Sequence, residues 1–85
     1  MSLHKIRKRI DDIDKEILMK INTRMELALK TKNFKRHISV RKRETQVLEQ
    51  VKRHATNLSL IESEFAEKIF NEFIKESRRL QGEKE

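Results

Sequence analysis

Three cations along one stretch of chain set the chemical question. Arg7, Arg24 and Lys35 lie in the segment from Leu3 to Lys35, which holds neither Pro nor Gly. On an α-helix each residue advances about 100° around the axis. Arg24 and Lys35 are eleven residues apart, so they point almost the same way, roughly 16 Å apart along the axis. One small anion fits between them. Arg7 lies seventeen residues before Arg24, turned roughly 100° away and about 25 Å distant. It cannot join them on that anion, so any site it serves should lie in a partner subunit.

Other polar residues fall where apolar ones are expected. Arg24 is in line with Ile17 and Ala28. Glu44 is in line with Leu48 and Val51, with Arg43 beside it. Ser77 and Gln81 are in line with Phe70 and Phe73. Burying such groups without partners costs several kcal/mol, so they must satisfy one another or a ligand. Two cations, one carboxylate and an amide around a pocket suit a small dianion that also carries a hydroxyl.

The elements that must position these groups are helices. Leu3, Ile6, Ile10, Ile13, Ile17 and Ile21 recur in steps of three and four, the period of one helical face. A helix over about 3–35 would be roughly 50 Å long. A compact domain of this size has a radius of gyration of only about 12 Å. The rod overhangs any core its own chain can build and calls for a second copy. Ser2 is placed to cap it. Arg36 to Val40 breaks the period and reads as a tight connection, with Ser39 a cap for the next helix. The second helix spans about 41–55, with Val47, Leu48 and Val51 inward. Ser59 and Glu62 fit a capping box opening a third helix over about 60–81. Its core face is Ile61, Phe65, Ala66, Ile69, Phe70, Phe73 and Ile74. The expected architecture is all-α: one domain over residues 1–85, three helices per chain, paired into an intertwined homodimeric bundle.

The totals agree with this class. The chain has 85 residues, 41% charged and 35% hydrophobic, with no Pro, one Gly and four Phe as its only aromatics. That leaves no turn chemistry for a sheet. Without cysteine there is no disulfide, no thiolate nucleophile and no Cys-based metal site. His4, His37 and His54 form no ligand pair, so no metal is expected. No apolar run nears the roughly 20 residues of a membrane span, and no signal peptide is visible, so a cytoplasmic protein is expected. The net charge of +7 points to anionic partners.

At this point the residues resemble the all-helical chorismate mutases, over nearly the whole chain. The strongest stretch is Ile6-Arg7, Ile10, Ile13-Asp14 and Ile17-Leu18, followed by Arg24-Met25-Glu26-Leu27-Ala28. Arg43-Glu44 with Val47-Leu48, and Phe70 with Ser77 and Gln81, extend it. The resemblance implies roles. Arg24, with Arg7 from the other subunit, binds the two carboxylates of chorismate. Lys35 and Gln81 donate to the ether oxygen of the breaking C–O bond, and Glu44 holds the ring hydroxyl. Ser77 assists a carboxylate, and Arg43 supports the carboxylate cluster. The implied reaction is the rearrangement of chorismate to prephenate, in phenylalanine and tyrosine biosynthesis, with no cofactor. Two departures stand out. Val40 occupies a position where the family usually has Asp, and the connection from Lys35 to Arg43 is shorter than in better-known members.

Taken singly, each residue also has an ordinary reading. Lys35 suits a solvated helix end, and Glu44 a helix first turn. Arg7 and Arg43 read as surface charges, Ser77 as helix packing and Gln81 as frayed tail. Two rival functions follow from the whole. One is a lyase of the same fold that removes pyruvate from isochorismate. The other is a non-catalytic basic dimer binding nucleic acid or a protein. Nucleic acid is disfavoured, because it needs a contiguous outer basic stripe and does not need Arg24, Glu44 and Gln81 turned inward.

Overall fold

A computed structural model describes residues 2–34 and 40–82. Lys35 and the proposed Ser39 cap lie outside the described residues. Helix α1 (Leu3–Thr31) leads into a 3-10 turn (Lys32–Phe34), and α2 (Val40–Ala55) and α3 (Ser63–Leu80) follow. All regular structure among the described residues is helical.

Ser2 caps α1 as its type and position suggest: its Oγ accepts from the Lys5 N–H at 3.2 Å. The helix then runs unbroken for 29 residues. It ends at Thr31, short of the expected Lys35, for a local reason. Thr31 turns its hydroxyl back onto the Ala28 carbonyl at 2.6 Å, the side-chain competition that unsettles helix interiors. The Lys32 N–H bonds the Leu29 carbonyl, three residues back. That tightens the last turn to 3-10. The α-helical register of α1 therefore stops at Thr31.

Helices α2 and α3 pack against each other, and the C-terminal part of α1 lies on α3. Met25, Ala55, Ala66 and Ile74 are buried, with Val47, Leu48, Val51, Ile69, Phe70 and Phe73 half-buried around them. Phe70 and Phe73 meet edge to face at 4.9 Å between ring centroids, a favoured aromatic geometry. Lys52 of α2 pairs with Glu67 of α3 on the outside, where such pairs contribute little.

The connection between α2 and α3 departs from expectation. Asn57 and Leu58 donate to the carbonyls of His54 and Ala55, so the unwinding of α2 uses residues through Leu58. The chain needs the rest, through Glu62, to reverse direction. Glu62 becomes the residue before the first turn of α3, with no side-chain cap bond, and the Ser59–Glu62 capping box does not form. Ile61 and Phe65, expected in the core, are 37% and 52% exposed. At the other end Gly82, at φ +79°, donates to the Arg79 carbonyl and closes α3, using the left-handed conformation that glycine adopts freely.

The rod does overhang. The molecule measures 53 × 25 × 20 Å, and residues 2–20 are exposed throughout. Ile6, Ile10, Ile13 and Ile17 are 41–51% exposed. The apolar stripe read from their spacing exists, but the single chain does not cover it.

Candidate functional site

The three helices converge on a cavity of about 700 Å³, within the usual range for small-molecule sites. Helix α1 brings Arg24, Leu27, Ala28 and Thr31 to it, α2 brings Arg43, Glu44 and Val47, and α3 brings Ile74, Ser77, Arg78 and Gln81. Lys42 joins from the start of α2, and Phe34 and Val40 also line the wall.

Arg24 is held over aromatic faces. Its guanidinium carbon lies 5.7 Å from the ring centroids of both Phe70 and Phe73, a cation–π arrangement that fixes the side chain against α3. Burial, followed by the positive charge of Arg43, pushes its pKa below the ordinary arginine value. Arginine stays charged through such a shift. Two guanidinium groups that repel each other beside a cavity are a site prepared for an anion, because an anion relieves both the repulsion and the lost hydration.

Glu44 is turned inward, with its side chain only 16% exposed. Its partner is one the sequence reading did not single out. Arg78 donates through Nε to one carboxylate oxygen at 2.9 Å and through Nη2 to the other, a forked pair. A sequence signal for Arg78 was present: it lies one turn beyond Ile74 on the inward side of α3. Arg43 is exposed at the cavity edge.

Ser77 donates to the sulfur of Met25 at 3.3 Å, tying α3 to α1. Gln81 is 7% exposed, far from a frayed tail. Its Nε2 donates to the Ala28 carbonyl at 2.7 Å. The 3-10 turn has drawn the Lys32 N–H away from that carbonyl, and Gln81 and Thr31 supply donors in its place. Replacing Gln81 by Leu should therefore lower stability by about 1–2 kcal/mol by loosening the end of α1. Urea unfolding of the two proteins measures this; an unchanged midpoint would contradict the role.

Arg7 is exposed on the overhang and does not line the cavity. It lies roughly 25 Å along the helix from Arg24, so the single chain does not bring the two together. Among the described residues no group of His, Asp or Glu is arranged to hold a metal ion, and no helix is long and apolar enough to cross a membrane.

Comparison with known proteins gives one match. A family model described as chorismate mutase type II matches residues 6–82. No curated protein and no solved structure matches. The matched span takes in α1 from Ile6 onward, all of α2 and α3, every side chain of the cavity wall named above, and Arg7 on the overhang. This chain belongs to the type II chorismate mutase family.

Proposed function

We propose that this chain is a chorismate mutase, catalysing the rearrangement of chorismate to prephenate within aromatic amino acid biosynthesis, as a homodimer. The observation that carries the reading is the cavity's charge. Among the described residues, four cations, Arg24, Lys42, Arg43 and Arg78, line the cavity with one carboxylate, Glu44, a balance that suits a small dicarboxylate.

The reaction is a concerted [3,3] shift. One C–O bond breaks as one C–C bond forms, and no proton moves to or from the enzyme. The residues need only hold the reactive conformer and place fixed donors where negative charge grows on the ether oxygen. Arg24, already oriented by Phe70 and Phe73, grips one carboxylate. Arg7 of the partner subunit grips the other, supported by Arg43 and Ser77. Lys35 and Gln81 donate to the ether oxygen. Glu44 accepts from the ring hydroxyl, and with Val40 apolar at the cavity wall, this contact rests on Glu44.

The uncovered stripe on α1 supports the dimer. Covering half-exposed isoleucines against a second copy contributes about 1 kcal/mol for each side chain. Ile10→Asp should leave the chain helical but monomeric in sedimentation, and should abolish turnover, because Arg7 and Arg24 then never meet. A fully active monomer would contradict the shared site.

The direct test mixes purified protein with chorismate and identifies the product. Prephenate is the expected product. Turnover of isochorismate to salicylate and pyruvate, with chorismate untouched, would replace this reading with the lyase reading.

A further inference from the structure

The forked pair of Glu44 and Arg78 is built into the cavity wall, yet Arg78 has no part in the reaction as derived above. Both carboxylate oxygens are engaged, which fixes the plane of the carboxylate. Glu44 is the sole acid among the described residues that line the cavity. Its pairing therefore sets what a substrate meets at that point of the wall.

We propose that Arg78 is a specificity-determining residue: by pairing with Glu44 it makes the cavity prefer a neutral hydroxyl over a charged amine at the ring position Glu44 serves. The inference rests on the chorismate reading and goes beyond it. A carboxylate offers about four lone-pair positions. Two are filled by Arg78, so a hydroxyl can still donate to a third. An ammonium group gains less. It meets a pair with no net charge, the Arg78 guanidinium just behind it, and three further cations in the same cavity. Without Arg78 the carboxylate would lose its forked partner, and its attraction for an ammonium would be offset much less. Arg78 acts through Glu44, so it is a positioning residue.

The test compares chorismate with its analogue bearing an amine in place of the ring hydroxyl, using the full chain. The readouts are kcat/KM for each compound and the dissociation constant of each by calorimetry. Arg78→Met should lower the hydroxyl-over-amine preference by about tenfold or more, as expected for removing a like charge within a few ångströms. Arg78→Lys keeps the charge and loses the fork, so it should restore most of the preference. Combined with Glu44→Gln, Arg78→Met should shift the preference much less, the signature of one residue acting through another. An unchanged preference in a helical Arg78→Met protein would overturn the inference, as would an equal shift in the presence and absence of Glu44. If the wild-type chain turns over neither compound, the proposed reaction fails while the ratio of dissociation constants still decides the role of Arg78.

Discussion

Replacing Arg24 with Ala is expected to lower kcat/KM for chorismate by about 10²–10³-fold, the scale for removing one fixed donor from a charge-stabilising site. The reason lies in its setting. Arg24 is held against Phe70 and Phe73, so little ordering remains to be done when a carboxylate arrives. The fold should survive. Two cation–π contacts are lost, each contributing about 0.5–1 kcal/mol at partly exposed sites, but the repulsion with Arg43 is relieved at the same time. Circular dichroism should show unchanged helicity and a melting temperature within a few degrees of the parent. Arg24→Lys should fall between, retaining the charge without the fork that matches a carboxylate. Near-normal turnover by a helical Arg24→Ala protein would remove Arg24 from the site.

Mixing two inactive proteins should restore activity. Arg7→Ala and Arg24→Ala chains each spoil both sites of their own dimer if Arg7 acts across the interface. In a mixed dimer, one site combines the intact Arg24 of one chain with the intact Arg7 of the other, and the second site lacks both. With random exchange, half the dimers are mixed and each holds one good site, so about a quarter of parental activity should return. The gain should require subunit exchange through unfolding and refolding together, and should be absent when the two proteins are refolded apart and then combined briefly. If Arg7 acted within its own chain, no combination would restore a site. The long rod makes the first outcome a geometric expectation: Arg7 lies beyond the reach of its own cavity.

Much of this site is legible in the sequence, and the misses have physical causes. Arg24 stands out because a cation interrupts an apolar stripe, and the structure gives it aromatic partners on α3. Glu44 stands out in the same way on α2. Gln81 is legible as inward, but its hydrogen bond to Ala28 depends on a 3-10 turn that spacing does not announce. Arg78 escapes notice because a long cation one turn past Ile74 looks like a solvated helix end until its partner is seen. The capping box at Ser59 and Glu62 matches a local pattern that the length of the α2–α3 reversal overrides. Phe65 keeps the regular apolar spacing of α3 but is 52% exposed in the single chain. The isoleucines of α1 have the right period and remain open to solvent, because a period identifies a face and not what lies against it.

The measurement closest to the central claim is calorimetric titration of the wild-type protein with a rigid bicyclic dicarboxylate that imitates the geometry of the rearranging substrate. A cavity shaped for that transition state should bind it about 10²-fold or more tighter than chorismate itself, at one molecule per chain, with binding lost in Arg24→Ala. No heat of binding, or equal affinity for any small dicarboxylate irrespective of shape, would contradict the account.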